Sequence, residues 1–474
     1  MESVPTTTTV TTRPDRHGHE IRTASSACVA AIDAYYLQVL SYGRDRQVIL
    51  QAPLHDPACS LANSLAAHFA ASHRPSQFKS FLSAAAASLG SATSYERAVF
   101  RAISCLVGDE KDEDAALEMH FELLSEFPKD LVSLKRAQVL CFYLGRPDLS
   151  LKLVEQVLPH NEDQSYIYGM LAFQLLELGR MNEAEKAARK GFDINRHDLW
   201  SQHALCHVFQ YECRYKEAVE FMETCSSSWT SCSSFMYTHN WWHVAVCYLE
   251  GESPICKVLE VYDHYIWKEL QRSDAEPGEV YINALGLLIR IYTHGLTDCI
   301  VDRIMTLTDI FKKESTWGME WLLDILALWA LASMKEPKAE DLLKSMKSRI
   351  YLVSTKKQKK MQRAILLAEA VYEYGRGEYK KAFEILGPDF NAIDYKMIGA
   401  SDEQLDVFTE VWYDVLLNIG QISKAIEEIE KQVSKRAGAP FLWSLLEKAY
   451  SMEGRADASD AAEKAKALRA ACFS

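Results

Sequence analysis

Residues 171–188, LAFQLLELGRMNEAEKAA, contain the pattern that decides the fold. Leu171, Leu175 and Leu178 recur at helical spacing before a Gly179-Arg180 turn, and a second helical run follows. The turn arginine and the small residue five positions beyond the turn glycine return every 34 residues, which marks a tetratricopeptide helix-turn-helix unit. The arginines are Arg146, Arg180 and Arg214, and the small residues are Ala116, Ser150, Ala184 and Ala218.

A second series of the same kind lies near the C-terminus. Its turn and small residues are Gly377 with Ala382, Gly420 with Ala425, and Gly454 with Ser459. Together the two series predict an all-α protein, a right-handed α-α superhelix of the tetratricopeptide type. The predicted divisions are a flexible tail (1–23), N-terminal helical pairs (24–110), a repeat array with the histidine and tryptophan site (111–272), irregular helical pairs (273–352) and a C-terminal repeat array (353–474).

The composition narrows the class of protein. Of the 474 residues, 48% are hydrophobic and 25% are charged, as is usual for a folded chain. The formal net charge of −13 disfavours a phosphate backbone, so nucleic acid is not expected as a partner. The 12 cysteines form no C-x-x-C pair, and no apolar stretch is long enough to cross a bilayer. These features predict a cytoplasmic protein with reduced thiols and no membrane contact.

Two histidine pairs are the most promising chemical feature. His203 and His207 are four residues apart, as are His239 and His243, so each pair occupies one face of a helix. The pairs lie on the first helices of adjacent repeats, where all four imidazoles could converge. Four imidazoles satisfy the ligand count of zinc, so a divalent metal, zinc above all, is a candidate cofactor. Without a metal, the histidines could serve as general acid and base, with Asp263, Asp198 or Glu177 orienting one ring.

Aromatic residues are predicted to line a concave groove beside the first histidine pair. With Ala218 counted as position 20 of its repeat, Trp200 falls on the groove line of its helix. The same count places Tyr166 and Phe173 on the groove line of the preceding unit. Trp241 and Trp242 have two interpretations, as packing between repeats or as stacking platforms for a ligand.

The two histidine segments also carry a family likeness. The block His203-Ala204-Leu205-Cys206-His207, followed by His239-Asn240-Trp241-Trp242-His243 and then Tyr262-Asp263, resembles the tetratricopeptide-repeat protein 38 family. That family shows an H-A-x-x-H segment and an H-x-W-W-H segment in this order. The resemblance implies a right-handed helical superhelix with a recurring histidine and tryptophan constellation, but it does not imply an activity.

The sequence leaves several functions open. The leading prediction is a repeat protein that binds a ligand, peptide or protein in a concave groove lined by histidine and tryptophan. The alternative is an enzyme that uses the same histidines as acid and base, or as a metal site, on a small molecule. A third interpretation has the histidines as hydrogen-bonding residues within a packed seam. Burial separates these interpretations, because an enzyme needs a closed, water-poor site and a scaffold needs an open groove.

Overall fold

A computed structural model describes residues 11–108, 111–353 and 355–473. These residues form helical hairpins, in agreement with the all-α repeat fold predicted from the sequence. Contacts divide them into two compact units. The first unit comprises the chain up to Cys141 with Arg146–Leu178 and Lys186–Ser201, and the second comprises Phe142–Gly145, Gly179–Glu185 and the chain from Gln202 onward.

A short β-hairpin precedes a long series of α-helices. The hairpin strands β1 (Thr12–Pro14) and β2 (Glu20–Arg22) are followed by the helices α1 (Ser26–Leu40), α2 (Ala52–His55), α3 (Ser60–His73), α4 (Phe78–Ser88), α5 (Ser94–Val107), α6 (Glu113–Glu126), α7 (Leu131–Leu144), α8 (Pro147–Val157), α9 (Ser165–Glu177), α10 (Met181–Ile194) and α11 (Leu199–Tyr211). The later helices are α12 (Tyr215–Cys225), α13 (Ser234–Glu250), α14 (Ile255–Val261), α15 (Pro277–Thr293), α16 (Val301–Phe311), α17 (Trp321–Ser333), α18 (Lys338–Arg349), α19 (Thr355–Gly375), α20 (Tyr379–Leu386), α21 (Asp402–Asn418), α22 (Ile422–Lys435), α23 (Pro440–Glu453) and α24 (Asp457–Cys472).

The turns of the 34-residue period share one backbone conformation. Gly145, Gly179 and Cys213 all have left-handed φ angles, at +66°, +73° and +60°. This conformation ends one helix of a hairpin and starts the next, and it favours glycine. Cys213 has the same left-handed φ although it is not glycine, so the turn keeps its place in the 34-residue period with a different residue type. None of the helices described combines the length and apolar character that a membrane crossing requires.

The N-terminal segment differs from the predicted flexible tail. Residues 1–10 of that tail lie outside the described residues, whereas β1 and β2 pair antiparallel with Arg13 opposite Ile21. Ile21 is fully buried, and the Asp15 carboxylate accepts hydrogen bonds from the backbone N–H groups of His17 and His19. The buried Ile21, the self-capped turn and the stacking of His19 on Tyr95 at 4.2 Å together order a segment whose composition resembles a tail.

Candidate functional site

The candidate site lies in the second unit, where the four histidines converge. His203 and His207 project from α11, and His239 and His243 project from α13; we call these four residues the histidine centre. Neighbouring imidazole centroids are 4.4–5.1 Å apart. One nitrogen of each ring, Nδ1 or Nε2, can be chosen so that all four lie within 4.8 Å of one another. All four side chains are buried, with exposures from 0% to 6%.

The turn after α13 explains how two helices with different sequence spacing aim their histidines at one point. Counted from Gly251, the second pair is two residues out of register with the first, a rotation of about 200° at ~100° per residue. The left-handed residue that matches Cys213 is instead Glu252, with φ +52°. The true offset is therefore three residues, which rotates the second pair by only about 60° from the first pair's direction.

Each imidazole is held through its Nδ1 atom by an oxygen. Nδ1 of His203 donates to Oδ1 of Asn240 at 3.2 Å, and Nδ1 of His239 donates to Oδ1 of Asn283 at 2.8 Å. The Asn283 amide is itself oriented, because its Nδ2 donates to the hydroxyl of Thr238 at 2.8 Å. Since these oxygens only accept, both rings carry their proton on Nδ1 and keep a lone pair on Nε2.

A carboxylate holds the other two rings. Oε2 of Glu403 lies 2.8 Å from Nδ1 of His207 and 3.3 Å from Nδ1 of His243. Oε1 of Gln210 accepts a further hydrogen bond from His243 Nδ1 at 3.2 Å. Every Nδ1 thus contacts an oxygen, so a ligand shared by the four rings would have to bind at their Nε2 atoms. Nε2 of His203 and Nε2 of His207 are 2.9 Å apart, and Nε2 of His243 is buried without a hydrogen-bond partner among the described residues.

The electrostatics favour the neutral form of His203, His239 and His243 and the charged form of the Glu403 carboxylate. Burial, followed by the neighbouring imidazoles, lowers the pKa of His203 and His239 well below the ordinary histidine value. Burial also lowers the pKa of His243, although Glu403 opposes that shift. Burial alone would raise the pKa of Glu403, but His207 and His243 outweigh it and hold that pKa well below its ordinary value. Neutral imidazole is the form that binds metal ions.

Glu403 was not predicted from the sequence. It occupies the first turn of α21, which Ser401 caps, and an acidic residue is expected there for helix stability alone. Its backbone carbonyl accepts a hydrogen bond from the buried Arg290 side chain. No local pattern links a residue so far along the chain to α11 or α13, so the carboxylate partner could only be found in three dimensions.

Asp263 does not serve the histidine centre as predicted. Its carboxylate pairs with Arg303 at 2.6 and 3.0 Å, and it is 44% exposed. It lies in one turn of π-helix type that starts at Tyr262, and the surface pair satisfies its charge there. Glu403 takes the place expected of Asp263.

The two predicted tryptophans of α13 have different surroundings. Trp242 stacks on the His239 ring with centroids 5.2 Å apart and planes 11° apart. Trp241 stacks on Tyr265 at 3.7 Å and meets Trp229 edge to face. Trp242 therefore supports a ring of the histidine centre directly, and Trp241 packs between helices.

The other predicted aromatic residues belong to the first unit. Phe173 and Trp200 pack with centroids 4.8 Å apart, and Trp200 stacks on Tyr42 at 5.0 Å. Gly169 makes room for this cluster, because a Cβ there would lie 2.9 Å from the Cβ of Trp200. Tyr166 is half-buried in the same unit.

No family model matches the chain. Similar solved structures include the human IFIT1 dimer with m7Gppp-AAAA, which is 14% identical and aligns over 94% of this chain and 91% of its own, with a TM-score of 0.38. The TPR domain of P58(IPK) is 13% identical over 80% of this chain and 96% of its own, with a TM-score of 0.22. At these identities the likeness concerns the helical-repeat fold alone.

One prediction about partners is corrected by these structures. Nucleic acid was not expected as a partner because of the net charge of the chain, whereas the similar IFIT1 structures hold m7Gppp-AAAA or PPP-AAAA. The prediction that nucleic acid is not a partner was wrong, because the net charge is a sum over the whole surface and does not describe the charge at one local site.

Proposed function

We propose that this chain is a tetratricopeptide-type protein whose histidine centre binds one divalent transition-metal ion. The observation that carries the proposal is the arrangement of the Nδ1 atoms. Metal-binding histidines commonly donate their second ring N–H to a carboxylate or carbonyl oxygen, which fixes the ring and leaves the other nitrogen for the ion. All four rings here have such an oxygen.

The nitrogen spacing fits a single ion. For ligand bonds of about 2.1 Å, two nitrogens 2.9 Å apart subtend an angle of about 90° at the ion. All four ligand nitrogens lie within 4.8 Å of one another, and two opposite ligands of one ion would be ~4.2 Å apart, so any wider pair has at most ~0.6 Å to close. Small rotations of the rings would close that gap. A nitrogen–ion–nitrogen angle near 90° leaves room for further ligands around the ion. Imidazole ligands suit zinc, copper, iron and nickel.

Burial favours this function over an open groove at the same residues. A peptide-binding groove would expose its histidines, whereas those of the histidine centre are at most 6% exposed. The nearby cavity lined by Trp242, Asn283 and Arg290 has a volume of about 10 Å³, enough for one water. A bound divalent ion would supply Lewis-acid chemistry to a water or small oxygen ligand. The neutral imidazoles hold the ion, and Glu403 keeps two of them oriented.

The resemblance to the tetratricopeptide-repeat protein 38 family is retained as part of this proposal. The H-A-x-x-H and H-x-W-W-H segments provide the four rings, and the Asn240 of the second segment orients one of them. We also propose a cytoplasmic location, because the cytoplasm keeps cysteine thiols reduced and contains transition-metal ions. Binding of a protein or peptide elsewhere along the repeats stays a prediction.

A second candidate function is proton transfer without a metal. The 2.9 Å separation of the two Nε2 atoms in the first pair is also a hydrogen-bond distance. One proton shared between His203 and His207 would make them an acid and base pair. A protein that acts in this way would carry no stoichiometric metal.

Metal analysis of the purified chain tests the proposal. We expect close to one transition-metal ion per chain in the parent protein, and its loss in His243→Gln. His264→Gln is the matched control, because His264 is an exposed histidine of the same unit. A parent protein that stays metal-free after loading with zinc and iron salts would contradict the metal centre and favour proton transfer.

A further inference from the structure

A small cavity adjoins Trp242, the residue that stacks on the His239 ring. Its volume of about 10 Å³ accommodates one particle the size of a water molecule. Asn283, Gly286 and Arg290 line it from α15, at the spacing of three and four residues that places side chains on one side of a helix. Apolar side chains from α15, α17 and α21 also line the cavity, namely Ile282, Leu322, Leu326 and Val407.

Two buried N–H groups at this cavity have no hydrogen-bond acceptor. The indole Nε1 of Trp242 and the Nε of Arg290 are both without a partner among the described residues, and these two residues are 2% and 1% exposed. The other nitrogens of the guanidinium are engaged, since Nη1 donates to Glu410 at 2.7 Å and Nη2 donates to the backbone carbonyl of Glu403. Buried donors in folded proteins are nearly always paired, so we expect the cavity to hold an acceptor.

Gly286 keeps this cavity open. A glycine in the interior of a helix is less stable than an alanine there, so its presence needs a reason. A Cβ atom at this position would lie 3.5 Å from Nε1 of Trp242 and 4.0 Å from Cδ1 of Leu326, which are ordinary contact distances. Alanine would therefore fit, and what the glycine preserves is the space beside the indole N–H.

The surroundings favour an occupant that only accepts hydrogen bonds. The side-chain oxygens at the cavity are already used, because Oδ1 of Asn283 accepts from His239 and Oε1 of Gln404 accepts from the backbone N–H of Ser401 at 3.1 Å. A water molecule could accept from both free N–H groups, but its own hydrogens would then face apolar side chains. A monatomic anion has no hydrogens to satisfy.

The charge at the cavity also suits an anion. Of the described residues that line it, Arg290 alone is charged. Its partner Glu410 offsets that charge only in part, because burial raises the pKa of Glu410 to about 7 and leaves the carboxyl partly protonated at neutral pH. An anion on the Nε–H of Arg290 would form a charge-assisted hydrogen bond, which is stronger than one to a neutral acceptor.

We propose that this cavity binds one halide ion, with chloride as its physiological occupant. The ion accepts hydrogen bonds from Nε1 of Trp242 and Nε of Arg290, and it occupies the space that Gly286 leaves open. Because Trp242 stacks on His239, the bound ion also fixes the indole that supports one ring of the histidine centre. The site needs no metal ion at that centre, so it stands or falls independently of the proposed function.

Anomalous diffraction with bromide tests the site. Crystals of the full-length protein grown with sodium bromide are measured at the bromine absorption edge, and we expect a peak within hydrogen-bond distance of Trp242 Nε1 and Arg290 Nε. The peak should be absent from Gly286→Ala, whose Cβ takes the space of the ion. It should remain in the control Gly90→Ala, because that glycine has open space around it. An ordered water in the cavity of the parent protein, with no anomalous signal, would overturn the proposal.

The melting temperature of metal-free protein gives a second readout in solution. A ligand that binds only the folded state stabilises it in proportion to its occupancy. Chloride replaces gluconate at constant ionic strength, since gluconate is too large for a cavity of this size. The melting temperature of the parent protein and of Gly90→Ala should rise with chloride, and that of Gly286→Ala should not. An equal rise in all three proteins would show that chloride acts elsewhere and would refute the site.

Discussion

Replacing Glu403 with glutamine is the most specific perturbation of the histidine centre. The carboxylate lies 2.8 Å from His207 and 3.3 Å from His243, so it orients two of the four rings and raises their basicity. Glutamine keeps the size and one acceptor oxygen but removes the charge. Losing such an outer partner typically weakens metal binding by about 10- to 100-fold, which corresponds to ~1.4–2.7 kcal/mol.

The assay is a zinc titration in competition with a chromogenic chelator, run on metal-free protein. We expect the dissociation constant of Glu403→Gln to rise by about 10- to 100-fold, with the histidines still able to bind. Asp263→Asn is the control, because Asp263 pairs with Arg303 at the surface, and it should bind as tightly as the parent protein. If Glu403→Gln also binds as tightly as the parent, the carboxylate does not support the ligands and the reasoning fails.

Three further predictions concern stability. Ile21→Ala should lower the free energy of unfolding by about 2–5 kcal/mol in urea, because the fully buried side chain leaves a cavity; an unchanged midpoint would mean that the hairpin is not docked. Gly169→Ala should cost about 1–3 kcal/mol, since its Cβ would meet Trp200 at 2.9 Å, and an undiminished melting temperature would contradict that contact. Burial lowers the pKa of His120 to about 4, so below pH ~6.5 the unfolded chain binds a proton that the folded chain does not. The free energy of unfolding therefore falls by about 1.4 kcal/mol per pH unit from pH ~6.5 down to pH ~4. His120→Leu should remove that share of the slope between pH 6 and 5, and an unaltered slope would disprove it.

Local periodicity was enough to predict the helical hairpins. The turn residues, such as Gly179, have conformational demands that depend only on neighbours along the chain, so the 34-residue period is visible in the sequence. The pairing of His203 with His207 on one face of a helix follows from spacing in the same way. Cys213 shows the limit of this reasoning, since its left-handed φ is recognisable only from the period around it.

The partners of the imidazoles could not be predicted because they depend on packing between helices distant in sequence. Asn283 and Glu403 come from α15 and α21 and look like ordinary helix residues in the sequence. Asp263 lies in the segment that resembles a known family, but its position in the sequence does not show whether its carboxylate faces the histidines. Its exposure and its pairing with Arg303 are set by the irregular turn at Tyr262, which hydrophobic periodicity does not reveal.

X-ray absorption spectroscopy of the metal-loaded protein identifies the atoms that surround the ion at the histidine centre. We expect imidazole nitrogen ligands from the histidine centre at about 2.0–2.1 Å for zinc, with multiple-scattering features from at least three rings and no sulfur. Sulfur ligands at about 2.3 Å, which would point to the buried thiols of Cys206 and Cys247, would contradict it. A first shell of oxygen alone would contradict it equally, because the ion would then lie away from the four imidazoles.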